Sequence, residues 1–409
     1  MSQEALKSQL GFKDRQTVSD IENGKRSVKA AELLALSEVL DRDVEFFLDP
    51  FSAVAEAQYC WRASLNVAGE DLDRFETLAN GWIGMLRWLR GQQERANRPL
   101  KVSLRLTAHA TVEQAQDSAE ALVEQFGLGP VPSARLVEWA ADELDIPVLF
   151  IEPGSRLSHG TISGAACDLG DLGVVFVNRG ESRVRRSFNI AHELFHILTW
   201  EAMRPDHRES NSMEARHGAK RVEQLADNFV AALLMPRASL DALIGPTQGA
   251  DAEHLADIAW QLGVTPVALG WRLFNLKRID AASRDALFQI KRDEDDGPAP
   301  PLFSRSFVTM LHSALDRGLL SARKAAKSLG FPLSELTALF ATYGMSALFE
   351  LQASWPCCNS EDSSTQTSAS NACELEFGLS FPSDGAWKHL KSATKRLSQA
   401  TTASRSESP

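Results

Sequence analysis

Apolar positions in the first fifty residues come in short bursts broken by polar turns, and their spacing predicts helices over 2–10, 14–22, 30–40 and 44–48. Between 69 and 90, Leu72, Phe75, Leu78, Ala79, Trp82, Ile83, Leu86 and Leu89 recur three and four apart, the period of one long amphipathic helix, which the polar stretch 91–99 ends. A helix over 112–126 gathers Ala115, Ala119, Leu122, Val123 and Phe126 on one face, with Gly127 where a C-terminal cap is expected. Ser133 then caps a helix that ends at Leu144. The pattern switches after Pro147. Three short β-prone runs, 148–151, 161–167 and 173–177, are separated by Gly, Asp and Pro and predict strands, the last two as a hairpin. Helices follow over 184–200 and 221–234, the second stopped by Pro236, and two further helical groups occupy 250–276 and 301–351.

This order of elements predicts an α+β, mostly helical chain. A small helical domain fills 1–50, a helical connector 51–128, a core with a small β-sheet 129–245, a helical extension 246–290 and a C-terminal helical domain 302–351. Residues 352–409 are Ser/Thr-rich and predict a disordered tail. A length of 409 residues accommodates such modularity. No apolar run reaches the roughly 18 residues of a spanning helix, and the first residues lack a secretory profile, so the expected location is the cytoplasm, with no membrane partner. The five cysteines (Cys60, Cys167, Cys357, Cys358, Cys373) form no C-x-x-C pair and no regular framework, which argues against disulfide scaffolds and thiolate zinc modules. The net charge of −11 means that any contact with nucleic acid must come from a local patch.

Chemistry concentrates in one predicted helix. His192-Glu193-Leu194-Phe195-His196 is an H-E-x-x-H motif. At about 100° per residue the two histidines lie about 40° apart on the helix surface, so both imidazoles can reach one metal. Glu193 sits about 100° from His192, where its carboxylate can approach a reacting water without occupying the metal. A hydrolytic metal site needs a third protein ligand and an open position. The metzincin continuation is absent, since Thr199 and Ala202 stand where its Gly and third His would be. Downstream, Glu223 offers an oxygen ligand, and Asp227, one turn later, an acceptor for a ligand imidazole N–H. His207 and His217, in the polar stretch 204–220, compete as third ligand. The oxyanion stabiliser is open: there are only two tyrosines, Tyr59 and Tyr343, and His207, Arg208, Arg216 and His217 are the nearby candidates.

The run from Arg185 to Leu198, which includes Asn189-Ile190-Ala191-His192-Glu193, resembles the ImmA/IrrE family of zinc metallopeptidases. So does Glu223-Gln224-Leu225-Ala226-Asp227-Asn228-Phe229 on to Met235-Pro236, and so do the upstream Ile162-Ser163-Gly164-Ala165 and Val174-Val175-Phe176-Val177-Asn178. The resemblance covers roughly 130–275. It implies a zincin-like core, one Zn2+ held by His192, His196 and Glu223, Glu193 as general base, and Asp227 as the outer partner of a ligand. It also implies a protein substrate such as a repressor. The family usually has Gly where this chain has Phe195, which bears on access to the site.

Ser2-Gln3-Glu4-Ala5-Leu6 to Gly11, with Arg15-Gln16-Thr17-Val18-Ser19-Asp20-Ile21-Glu22-Asn23-Gly24-Lys25-Arg26, resembles the Cro/C1-type (XRE) helix-turn-helix. The likeness implies operator DNA as a partner, with Arg15, Gln16, Thr17 and Asp20 facing bases and Gln3, Asn23, Lys25 and Arg26 near phosphates. Such domains usually begin one helix before Ser2. The turn here carries one extra residue, and Lys7 occupies a usually small position. Seven Lys/Arg face ten Asp/Glu across 1–50, so no broad basic surface favours DNA. Two later stretches, 255–273 and 302–350, also resemble helix-turn-helix units, but core packing accounts for their apolar spacing, with Trp260 and Trp271 expected in the core.

Together these features point to a regulator-associated zinc endopeptidase. The alternative is a DNA-binding regulator or antitoxin-like protein whose peptidase fold senses a partner without cleaving it.

Overall fold

A computed structural model describes residues 2–23, 25–49, 51, 57–93, 102–153, 157, 159–208, 217–245, 251–291 and 297–348; the expected tail, 352–409, lies outside them. The chain divides into two compact units, one of 1–55, 80–88 and 312–409, the other of 56–79 and 89–311.

The first unit opens with α1 (Gln3–Leu10), α2 (Arg15–Glu22), α3 (Ala30–Leu40) and α4 (Val44–Leu48). Ser2 and Asp14 cap α1 and α2 through their side-chain oxygens, and Gly11 closes α1 in the left-handed conformation that glycine adopts without strain. Leu6, Val18, Ile21, Leu36, Leu40 and Phe47 form the buried centre of this head. Glu32 closes the turn into α3: its carboxylate accepts two hydrogen bonds from Arg26, at 2.6 and 3.1 Å, and one from the backbone N–H of Lys29. The Arg26 hydrogen bonds hold the Glu32 carboxyl below its ordinary range. A carboxyl depressed by folding adds stability above its unfolded pKa and loses it as pH falls through the lower, folded value. The thermal-stability advantage of the wild type over Glu32→Gln is therefore expected at neutral pH and should shrink as pH drops below the carboxylate range.

The second unit is built on a four-stranded sheet of β1 (Gln58–Ala63), β2 (Val148–Ile151), β3 (Ile162–Asp168) and β4 (Gly173–Asn178), in the order β1-β3-β4-β2. The predicted hairpin is β3–β4, β2 runs parallel to β4, and β1 pairs antiparallel with β3. β1 corrects the expectation of a wholly helical connector. Tyr59, Cys60 and Trp61 are all buried, so the strand has no polar alternation to announce it.

The sheet's two faces have separate roles. Cys60, Ala166, Val175 and Val177 turn into the main core. Tyr59, Trp61 and Phe176 form an aromatic cluster on the other face, where Phe75 of α5 (Gly69–Gln92) meets Trp61 and Glu76 accepts the Trp61 indole N–H. Helices α6 (Val112–Gln125), α7 (Leu136–Glu138), α8 (Arg183–Thr199) and α9 (His217–Leu234) make the core side: α8 packs on β3 and β4, and α9 on both α8 and α6. The helix expected from Ser133 to Leu144 is a composite, a 3-10 turn at Pro132–Arg135, the short α7, and a π turn at Trp139–Glu143. It closes around the fully buried Trp139. Pro236 ends α9 and at once caps α10 (Arg237–Ile244). The unit continues with α11 (Ala252–Leu262), α12 (Pro266–Asn275), α13 (Ala281–Gln289) and the start of α14 (Arg305–Asp316). Trp271 departs from expectation: its side chain is exposed, with the Arg284 guanidinium 4.5 Å from the ring.

The first unit resumes with the end of α14, then α15 (Ala322–Leu329) and α16 (Leu333–Thr342). Trp82, in the part of α5 that belongs here, donates its indole N–H to the carbonyl of Leu329.

Candidate metal centre

Helix α8 has strong local reasons to form. Ser182 caps it by accepting from the backbone N–H of Arg185, and Ile190, Leu194, Ile197 and Leu198 bury its core side. The middle of the helix is enclosed. His192, Glu193 and His196 are all about 99–100% buried. Polar side chains in such a position are costly unless they are satisfied by hydrogen bonds, charges or a metal.

Their partner comes from α9. His192 Nε2 lies 3.1 Å from Glu223 Oε2 and 3.1 Å from His196 Nε2, and His196 Nε2 lies 3.6 Å from Glu223 Oε1. The ligating atoms of His192, His196 and Glu223 all fall within 4.8 Å of one another. Tetrahedral donors about 2.0–2.1 Å from a common centre stand about 3.3–3.4 Å apart, so the observed separations fit one shared cation. Two neutral imidazoles and a carboxylate also suit a borderline divalent metal better than a hard, oxygen-seeking one. One turn beyond Glu223, Asp227 Oδ1 lies 3.5 Å from His192 Nδ1, the nitrogen that faces away from the other donors.

Glu193 faces the sheet. A Cβ added at Gly164 of β3 would fall 3.4 Å from Glu193 Oε1 and 2.6 Å from the carbonyl oxygen of Phe176. The carbonyl of Phe176 is what excludes a side chain at Gly164, and the Glu193 carboxylate lies at contact distance beside that position. The role of Gly164 escaped the sequence reading, because only the pairing of β3 with β4 shows which strand residue faces Glu193.

Phe195 is fully buried and points into the core, where its ring lies 5.3 Å from Phe229 of α9 and edge-on to His196 at 5.8 Å. It packs behind the donors rather than in front of them. Phe195→Ala is expected to cost about 3–5 kcal/mol of stability through the cavity it leaves, measured by denaturant unfolding, without opening the site to larger ligands.

The other candidates lie elsewhere. His207 pairs with Glu76 on the aromatic face of the sheet, away from α8, and Arg208 donates to the carbonyl of Val67. Tyr59 is on that same face, stacked on Trp61, and burial pushes its phenol pKa well up. Arg216 and the side chain of His217 lie outside the described residues.

In the head, α2 presents Arg15 and Gln16 at its exposed N-terminal end. Arg15 donates to Gln3 at 2.7 Å, Gln3 in turn donates to Glu22, and Gln16 donates to Asp20 at 2.8 Å. Thr17 donates its backbone N–H and hydroxyl to Asp14, and Asn23 donates to the carbonyl of Ser19. Lys25 is exposed, while Arg26 is clamped by Glu32.

A helix bearing two imidazoles thus lies across a small mixed sheet and meets a carboxylate from the next helix. Residues 141–274 match the IrrE N-terminal-like domain family, Peptidase M78, and residues 1–47 match the helix-turn-helix family. The chain thus joins an XRE-type helix-turn-helix domain to an IrrE N-terminal-like domain of the M78 peptidase family. No match is found among curated proteins. None is found among solved structures.

Proposed function

We propose that this chain is a transcription-regulator-associated zinc metallo-endopeptidase that hydrolyses a peptide bond in a protein partner such as a repressor. The observation that carries this reading is the convergence of His192, His196 and Glu223 beside the buried carboxylate of Glu193. His192, His196 and Glu223 would hold one Zn2+. When bound, that ion would polarise the scissile carbonyl and make a water acidic enough to lose its proton near neutral pH.

Glu193, held against β3, takes that proton as the water oxygen adds to the carbonyl carbon. It then gives the proton to the nitrogen of the breaking C–N bond, so that an amine leaves and a carboxylate remains. Asp227 Oδ1, 3.5 Å from His192 Nδ1, would favour the tautomer that carries its proton on Nδ1 and leaves Nε2 as the donor atom. The helix-turn-helix head would bring this activity to operator DNA through Arg15, Gln16, Thr17 and Asp20 at bases and Gln3, Asn23, Lys25 and Arg26 near the backbone. Arg26 contributes least there, given its pairing with Glu32. Among the described residues no helix is long and apolar enough to cross a membrane, which accords with the proposed action in the cytoplasm.

The test is metal content. The purified full chain, reconstituted with zinc and freed of excess, is expected to retain one ion per chain; retention of none rejects the peptidase reading. The helix-turn-helix match favours one alternative, a DNA-binding regulator that senses a partner without cutting it. Salt-dependent binding of the chain to its own upstream DNA, lost in Arg15→Ala and Gln16→Ala, together with no partner cleavage by zinc-loaded protein, would favour that reading.

A further inference from the structure

The metal, its three ligands and a base leave one task of peptide hydrolysis unassigned: neutralising the negative charge that grows on the substrate oxygen. We infer that Arg62 of β1 performs it. This assignment rests on the metallopeptidase reading above and adds a residue that lies outside the matched domain.

Arg62 pairs across the ladder with Gly164. Residues directly opposite one another in antiparallel strands send their side chains to the same face. Here that face carries Cys60, Ala166, Val175 and Val177 into the core beneath α8, and it is the face on which Glu193 lies against Gly164, its Oε1 3.4 Å from where a Cβ would stand. Arg62 is therefore the neighbour of Glu193 along the sheet. A second contact fixes it on the helix side: its guanidinium carbon lies 5.0 Å from the centre of the Phe188 ring. Phe188 stands one turn before His192 and stacks on that imidazole at 5.8 Å, with 30° between the planes. The cation is thus one aromatic ring from His192 and one strand position from Glu193, on a side chain that is partly exposed as a whole.

Two features of the unit strengthen the assignment. β3 already has strands on both sides, so a peptide cannot be gripped by adding a strand to it. His207, Arg208 and Tyr59 make their contacts on the other side of β1, away from Glu193. Arginine suits the role because it stays charged and presents several N–H donors in one plane to an oxygen anion. That anion is the oxyanion formed as water adds.

The test uses the zinc-loaded full chain and three probes. One is a phosphinic dipeptide carboxamide, whose phosphinate is its only anion. Another is the same dipeptide with a free carboxylate. The third is acetohydroxamate, which binds through the metal alone. In titrations, Arg62→Met is expected to bind the phosphinic carboxamide about ten- to a hundredfold more weakly than wild type, with acetohydroxamate affinity unchanged and part of the loss recovered in Arg62→Lys. A loss limited to the carboxylate probe would assign Arg62 to a substrate carboxylate instead of the oxyanion. Equal affinity of wild type and Arg62→Met for both phosphinic probes would overturn the inference. So would a wild type that binds acetohydroxamate but neither phosphinic probe. A wild type that holds no zinc and binds no acetohydroxamate would instead reject the underlying metal reading. Thermal unfolding without metal checks the fold of each variant, and Arg62→Gln replaces the Met variant if that one unfolds.

Discussion

Glu193→Gln is expected to keep its zinc and to cut peptide hydrolysis by about two to four orders of magnitude, the usual contribution of a positioned general base. The substitution isolates one function. Glutamine has the size and shape of glutamate, so it can occupy the same fully buried position against Gly164, and the three donor atoms on His192, His196 and Glu223 are untouched. What disappears is a group able to take a proton from water and return it to the leaving nitrogen. The two measurements are zinc per chain and the rate at which new amino termini appear in the partner protein. Zinc retained with the rate collapsed supports the role proposed for Glu193. An undiminished rate would remove Glu193 from the mechanism, and loss of zinc would show that the carboxylate supports the donors instead of acting on water.

The second large effect concerns α9, which supplies both a donor and a supporting acid one turn apart. Replacing an outer partner of a metal ligand typically costs ten- to a hundredfold in affinity, and that is the loss expected for Asp227→Ala. Glu223→Ala removes one of only three donor side chains, and it is expected to lose zinc by well over a hundredfold, as are His192→Ala and His196→Ala. Thermal unfolding offers a readout independent of catalysis. Zinc at about a hundred times its dissociation constant stabilises the folded state by about 2.7 kcal/mol, so the wild type should melt higher when zinc is added and Glu223→Ala should not. Equal losses from Asp227→Ala and Glu223→Ala would mean that the two acids share the metal. Full retention of zinc by Glu223→Ala would point to another third ligand.

Much of this centre was legible because the relevant signals are local. H-E-x-x-H on a helical period places two imidazoles on one face with no knowledge of the rest of the chain, and the β3–β4 hairpin is marked by turn residues at both ends. Glu223 and Asp227 were offered by their place one turn apart on the next helix, with an ordinary acidic face as the alternative, and the likeness over that helix added to the reading. Other features depend on tertiary surroundings. β1 is buried on both faces and lacks alternation; Pro236 ends one helix and begins the next; the composite turn from Pro132 to Glu143 follows the packing of Trp139. Trp271 was expected inside from the apolar spacing of its stretch, whereas its ring is exposed and lies under the Arg284 guanidinium. Phe195, which the sequence left able either to pack beneath the site or to narrow it, joins Phe229 in the core.

The pairing of β1 with β3 also governs how this domain can be made. Ser64, just past β1, and Thr161, just before β3, exchange hydrogen bonds although they are 97 residues apart. At about 5–20 residues per second, the earlier strand leaves the ribosome several seconds before its partner exists. Throughout that interval Tyr59, Cys60 and Trp61 have no sheet to cover them. A fragment cut to the matched residues 141–274 would have the opposite defect, with the edge of β3 bare and open to pairing between copies. A fragment beginning before Gln58 carries its own edge strand, and with it Arg62.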